Sequence, residues 1–300
     1  MTTQRIDIRA RAKINLDLRV LGHYQDGFHK LRTVLQSIEL HDKLSFVAKK
    51  GSFTIICRVP GVPLDHSNLV WCAASLLWQK MGRSGEPCDV TVTLRKRIPI
   101  KAGLGGGSSD AAATLIALKR LWDIRISRNE LENMGSCLGA DVPFFLCGGT
   151  VLGLGRGDQV YPLLDVLKHW VVLMVPDFGV STAAAYEWYD EEESALLGDS
   201  VLTRQSPALW PIGSEALHND LEAPVACRHQ DIVKMKTELL AEGAVASLLS
   251  GSGASVFGLF ARRRDAVDAL AALTRTGWRA ILSRTVDQSE YQERLWRTST

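Results

Sequence analysis

The sequence predicts an α+β protein of two domains, and three observations carry that expectation. Its 300 residues are about twice the roughly 150 of a common domain. The first third alternates polar and apolar side chains with a period of two, the pattern of half-buried strands. The second half orders helical and extended segments as a small α+β sandwich does. The boundary falls at 160–168, giving an N-terminal domain of residues 1–164 and a C-terminal domain of residues 165–300.

Residues 4–20 place Ile6, Ile8, Ala10, Ala12, Ile14, Leu16, Leu18 and Val20 at every second position and open the chain as a strand. Gly22, Asp26 and Gly27 mark turns, and strands over 31–46 and 53–59 follow, parted by Lys49, Lys50 and Gly51. Leu69, Cys72, Ala73, Leu76 and Leu77 recur at helical spacing within 68–81, after which alternation returns at 88–94. An extended stretch at 98–102 empties into glycines. Beyond them Ala111, Ala112, Leu115, Leu118, Leu121 and Trp122 form one side of a helix over 109–122, with Ser108 or Ser109 as its N-cap and Asp110 favourable near its positive end. A shorter helix over 129–137 and five glycines between 148 and 157 lead to an apolar strand at 170–175. The second half then reads as a helix at 182–190, an acidic, loop-rich stretch at 191–214, helices at 231–242 and 263–276, and strands at 255–260 and 278–283.

Composition narrows the function. Apolar residues at 46% and charged residues at 23% supply a globular core and exclude collagen, long coiled coil and wholesale disorder. Thirty-five Lys and Arg against 33 Asp and Glu leave +2, too little for a surface that tracks nucleic-acid phosphates. Six cysteines without a CxxC pair read as reduced thiols of a cytoplasmic protein and give no zinc-site spacing. The first residues lack the apolar run of a signal peptide, and the longest clean apolar segment, 170–175, stops at Pro176, so no membrane span is expected.

The densest chemical signal is Pro99-Ile100-Lys101-Ala102-Gly103-Leu104-Gly105-Gly106-Gly107-Ser108-Ser109. Glycines let backbone N–H groups approach an anion without Cβ clashes, and the free N–H groups at a helix start attract phosphate. No Gly-Lys-Ser/Thr follows, which excludes a Walker A loop, and Ser108 stands where a dinucleotide fingerprint needs its third glycine.

This segment resembles the central motif of the galactokinase, homoserine kinase, mevalonate kinase and phosphomevalonate kinase (GHMP) superfamily. Two further motifs of that superfamily have counterparts, Ala12-Lys13-Ile14-Asn15-Leu16 on the first strand and Ser250-Gly251-Ser252-Gly253-Ala254-Ser255 entering a late strand. The resemblance implies a two-domain kinase with a ribosomal-protein-S5-like β-α-β N-terminal domain and a ferredoxin-like C-terminal α/β sandwich. It implies ATP as phosphoryl donor, with Mg²⁺ held mainly through the nucleotide phosphates because no acidic cage is visible. Asp26-Gly27-Phe28-His29 and Gly139-Ala140-Asp141-Val142-Pro143-Phe144 are similar to the branch that phosphorylates the 2-hydroxyl of a cytidyl-diphosphate-linked methylerythritol, in the non-mevalonate route to isoprenoid precursors.

Residue roles follow from that resemblance. Lys13, by itself a strand-edge lysine, becomes a catalytic cation, and Asp141, by itself a turn or cap residue, becomes the carboxylate that takes or orients the hydroxyl proton. The glycine segment and Asn68, the latter also placed to cap its helix, bind ATP. Asn15 shares Lys13's strand face and is expected to bind substrate, as are Phe28, His29 and Tyr186 at the cytosine. The branch commonly has Tyr where this chain has Phe28, which keeps a stacking face and loses a phenol hydrogen bond. Ser108 and Ser109 are open to capping, phosphate contact or Mg²⁺. Two alternatives stand beside this reading, a mevalonate-like or homoserine-like acceptor and a non-catalytic nucleotide-binding protein; a nucleic-acid partner is not expected.

Overall fold

The computed structural model describes residues 4–165, 168–196, 217–293 and 296–298. The chain opens with two long strands, β1 (Arg5–His23) and β2 (His29–Ser52), followed by β3 (Thr54–Cys57), α1 (Leu69–Lys80), β4 (Cys88–Arg95), α2 (Gly106–Leu121), α3 (Arg128–Leu138), α4 (Val142–Cys147) and a hairpin of β5 (Thr150–Gly155) and β6 (Gln159–Pro162). It continues through β7 (Trp170–Val175), α5 (Thr182–Leu196), β8 (His218–Asn219), α6 (Glu222–Arg228), α7 (Asp231–Ala241), β9 (Ala246–Leu249), β10 (Val256–Phe260), α8 (Arg263–Leu273), β11 (Arg279–Arg284), α9 (Gln288–Glu293) and β12 (Trp296–Thr298).

Period-two alternation in β1 does what it predicts: its apolar positions are buried and the strand is central in the first sheet, ordered β12-β1-β2-β4-β3, with β5 also on β2 and the short β8 parallel to β1. The second sheet runs β11-β7-β10-β9, antiparallel throughout. Chain order 4-1-3-2 with helices between its first and second and its third and fourth strands is the ferredoxin-like split βαβ arrangement. Beneath the first sheet, Leu35, Phe46 and Val92 pack with Leu77 of α1 and with Leu115 and Leu118 of α2, each side chain contributing about 1.5–3 kcal/mol by leaving water. A separate cluster joins the sheets: Ala12, Ile14 and Leu104 lie with Leu173, Leu248 and Phe257.

Several expectations need correction. Lys49-Lys50-Gly51 does not end a strand; β2 runs through it, absorbing the irregularity as a register shift between Ala48 and Ser52 with Gly51 at φ 124°. Residues 98–102 form a turn rather than a strand, since β4 already ends at Arg95. Neither Ser108 nor Ser109 caps α2: the helix starts earlier, at Gly106, and Gly105 in the left-handed region holds the N-cap position. The acidic stretch read as loop is helical through Leu196, because α5 continues past Asp190; the rest of it, 197–214, lies outside the described residues. The hairpin of β5 and β6, the short helices α4, α6 and α9, and strands β8, β9 and β12 were not expected, being too short for a periodic signal. All six cysteines are free, and no helix among the described residues is long and apolar enough to cross a membrane.

Candidate active site

The glycine segment wraps from β4 into α2 and is gripped from both halves of the chain. Gly103, at φ 73°, lies so close to the turn after β9 that a Cβ would sit 2.0 Å from the Ser250 carbonyl oxygen. Ser250 Oγ donates to Gly103 O at 3.1 Å, and Ser255 N donates to Ala102 O at 3.3 Å. Gly105, at φ 70°, rests on the Phe145 ring and on the stem of Lys13. No side chain caps α2, so its first-turn N–H groups are left to face an anion across the cleft.

Below the start of α2, a buried lysine spans two buried carboxylates. Lys96 Nζ donates to Asp110 Oδ2 at 2.8 Å and to Asp42 Oδ2, while Asp42 Oδ1 accepts from Ile98 N at 2.9 Å. Burial, with the Asp42 charge adding to it and Lys96 opposing, pushes the Asp110 carboxyl up to about 7. Asp110 is therefore a buried structural tie and not the first-turn acid expected from sequence, because α2 begins at Gly106 and has no acidic residue in its first turn. Three residues so far apart in sequence leave no spacing from which the triad could be read.

Lys13 and Asn15 sit on a segment of β1 flanked by register shifts, between Arg11 and Lys13 and between Asn15 and Asp17, and such bulges re-aim side chains. Lys13 N donates to Leu104 O at 3.1 Å, which ties the strand to the glycine loop. Its ammonium, 5% exposed, donates to Asn15 Oδ1 at 2.7 Å and stands 3.6 Å from Asp141 Oδ2. Asn15 Nδ2 donates to Thr33 Oγ1 at 2.8 Å, and that hydroxyl donates to Asp17 O at 2.7 Å, which orients the amide oxygen toward Lys13. Asp141 occupies the N-cap position of α4 without a side-chain capping bond. Its carboxylate, 34% exposed, is left for the cleft. Gly251 closes the floor, where a Cβ would meet Lys13 Nζ at 3.0 Å. The buried Asn219 holds that turn through its Nδ2, which donates to Leu249 O and Gly251 O.

These groups line one cleft of about 1300 Å³, large enough for a nucleotide and a second ligand together. Its far end holds Phe28, His29 and Tyr186. His29 stacks on Tyr186 with ring centroids 4.4 Å apart at 28°, and its Nε2 bonds Asp190 Oδ1 at 2.9 Å. Phe28, 57% exposed, lies under the Arg156 guanidinium, 4.1 Å from its ring centre, and Arg156 pairs in turn with Asp26. Burial, reinforced by the charges of Asp141 and Asp220, raises the Tyr186 phenol above its ordinary range.

Of the residues singled out from sequence, Lys13, Asn15, Phe28, His29, Asn68, Asp141, Tyr186 and the segment from Pro99 to Ser108 line this cleft. Ser109 is not among the lining residues: it is buried, and its hydroxyl has no hydrogen-bond partner. Asn68 caps α1, its Oδ1 accepting from Val70 N at 2.9 Å and its Nδ2 donating to Pro63 O at 2.6 Å. Thr33, Lys96, Arg156, Asp190 and Asn219 were missed, since each acquires its place only through contacts distant in the chain.

Residues 68–149 match the family model of the GHMP kinases N terminal domain, and residues 204–279 match that of the GHMP kinases C terminal. The fold and cleft thus define a GHMP kinase. A 4-diphosphocytidyl-2-C-methyl-D-erythritol kinase of Syntrophus aciditrophicus (strain SB) is 39% identical over 285 residues, covering 94% of this chain and 100% of that relative. One from Moorella thermoacetica is 39% identical over 287 residues, covering 94% and 99%. A crystal structure of 4-(cytidine 5'-diphospho)-2C-methyl-D-erythritol kinase superposes with a TM-score of 0.75 at 31% identity, covering 93% of this chain and 98% of the other. The chain belongs to the 4-diphosphocytidyl-2-C-methyl-D-erythritol kinase family. A homoserine kinase from Cytophaga hutchinsonii, with a TM-score of 0.65 at 17% identity, shares the fold alone.

Proposed function

We propose that this chain transfers the γ-phosphoryl group of ATP to the 2-hydroxyl of 4-diphosphocytidyl-2-C-methyl-D-erythritol, giving the 2-phosphate and ADP, a step toward isoprenoid precursors by the non-mevalonate route. One observation carries the chemistry: Lys13 Nζ and Asp141 Oδ2 lie 3.6 Å apart in the cleft that the uncapped start of α2 enters. The same cleft continues to the aromatic and histidine end formed by Phe28, His29 and Tyr186.

In this reading the backbone N–H groups of the glycine segment and of the first turn of α2 hold the nucleotide phosphates. The acceptor hydroxyl enters between Lys13 and Asp141. The carboxylate accepts its hydrogen bond and turns the oxygen lone pair toward phosphorus, while the ammonium stabilises charge spreading over the transferred group. A loose phosphoryl-transfer transition state needs little proton abstraction, so positioning by Asp141 is its main contribution. Asn15 keeps Lys13 in place and offers its amide to the polyol. Phe28 and Tyr186 stack on the base and His29 hydrogen-bonds it, which a mevalonate-like or homoserine-like acceptor would not use.

For Mg²⁺ the cleft offers the Ser108 hydroxyl, whereas Asp110 is held by Lys96 and Asp141 faces Lys13. That donor set suits a hydrated ion carried on phosphate oxygens with one hydroxyl contact, and the ion supplies neutralisation of phosphate charge. The six free cysteines suit a reducing cytoplasm. The test is incubation with Mg-ATP and, separately, the cytidyl substrate, mevalonate and homoserine, with products identified by mass. Phosphorylation of the cytidyl substrate alone is expected, and activity only on the other two would overturn the assignment.

A further inference from the structure

His23 closes β1 and His29 opens β2, and the two are direct cross-strand partners in the hairpin. Their rings lie 4.4 Å apart. Both Nε2 atoms aim at one oxygen, Asp190 Oδ1, at 3.4 Å from His23 and 2.9 Å from His29. Asp190 comes from α5 in the other half of the chain. The three ligand-type atoms all fall within 4.8 Å of one another.

We propose that His23, His29 and Asp190 form a binding site for a borderline-soft divalent cation of the Zn²⁺ type, at the base end of the cleft. Two imidazoles and one carboxylate are a ligand set that Zn²⁺ favours, leaving a fourth position for water. Bonds of about 2.0–2.1 Å in a tetrahedral site put ligand atoms roughly 3.3–3.4 Å apart, a spacing the His23–Asp190 pair already has at 3.4 Å and the His29–Asp190 pair, at 2.9 Å, would reach by a small opening. A directly opposed pair on neighbouring strands holds the imidazoles at fixed separation, and β-sheet pairing makes that separation stiff. His29 is further fixed by its stack on Tyr186 and the edge of Tyr189. His23 at 44% and Asp190 at 40% side-chain exposure leave the ion a way in.

A cation bound there takes the Nε2 of His29 and pins α5 to the hairpin. On the proposed function, on which this consequence alone rests, it obstructs the cytidyl substrate while leaving the glycine segment free for ATP.

The experiment titrates untagged, metal-stripped protein with Zn²⁺ by calorimetry, and with Co²⁺ while following the visible absorption of a tetrahedral site. A Cys137→Ser background removes the exposed thiol that shares the cleft. One equivalent is expected to bind, with tetrahedral Co²⁺ absorption. His23→Ala and Asp190→Asn should each weaken binding by at least the roughly 10–100-fold that losing even an outer-shell partner costs. Zn²⁺ should inhibit the kinase competitively against the cytidyl substrate and not against ATP, and His23→Ala should keep its activity and resist inhibition. Binding unchanged in both ligand variants, or binding that vanishes with Cys137→Ser alone, overturns the site and leaves a hydrogen-bonded cluster. The isotherms need no turnover, so an enzyme inactive on the cytidyl substrate refutes the proposed function without touching them.

Discussion

Lys13 shows how much can be asked of one side chain. Its stem supports Gly105, its backbone N–H holds Leu104, and its ammonium stands between Asn15 and Asp141. Because that ammonium is almost wholly buried, Asp141 is the charge that faces it from the open cleft. Replacing Asp141 with Ala should lower kcat by orders of magnitude while nucleotide affinity, measured by calorimetry, stays near that of the parent; an unchanged rate would remove Asp141 from the reaction. Phe28 gives a contrasting expectation, since it touches no reacting atom. Base–aromatic stacking is worth about 1–3 kcal/mol, so Phe28→Ala should raise KM for the cytidyl substrate roughly 5–150-fold with kcat little altered. Phe28→Tyr should be tolerated, and steady-state kinetics of the two variants will separate stacking from hydrogen bonding.

Among the elements, α2 bears the largest load, as its uncapped N-terminal end lines the cleft while its apolar side, through Leu115 and Leu118, builds the core. The Lys96 bridge from Asp42 to Asp110 fixes that end against the turn after β4. Asp110 has its carboxyl raised from the ordinary range to about 7, so the folded protein holds that proton more tightly than the unfolded chain does. Its contribution to stability is fully present below the ordinary carboxyl pKa, declines as pH rises toward 7, and is flat above. Asp110→Asn cannot ionise, and its thermal midpoint should therefore fall less between pH 5 and pH 8 than the parent's. Calorimetric scans across this interval check the slope; equal slopes would show that Asp110 does not titrate there.

Across the whole molecule, the glycine segment belongs to neither sheet alone. The first half supplies its glycines, the second half supplies Ser250 and Ser255 to hold them, and a shared apolar cluster lies behind. Strands β8 and β12 return from the late sequence to pair with β1, so the two halves are interlocked across the expected boundary. Gly103→Ala tests this joint. The added methyl meets a backbone carbonyl at 2.0 Å with φ at 73°, a combination of strain and clash costing at least about 1–3 kcal/mol. A thermal midpoint several degrees lower and a raised KM for ATP are expected together, because the same displacement opens the joint and misplaces the phosphate amides; loss of stability without any change in ATP affinity would show that the two are uncoupled.

By itself the sequence determined what depends on neighbours along the chain: the α+β class, the period-two opening strand, Lys13 and Asn15 on one strand face, and a glycine run before an amphipathic helix. Motif resemblance added Asp141, Phe28, His29 and Tyr186 as companions of that run. Only the tertiary structure decided distances between groups far apart in the chain, including the Lys13 to Asp141 approach, the Lys96 bridge and the meeting of His23 and His29 with Asp190. It also moved the start of α2 to Gly106 and buried Ser109, because packing against Lys13, Phe145 and the turn at Ser250 outweighs the capping preference of a serine. The physical division is between terms: periodicity and local hydrogen bonding act over a few residues and are written in order, whereas burial and ion pairing depend on which surfaces meet once the chain has closed on itself.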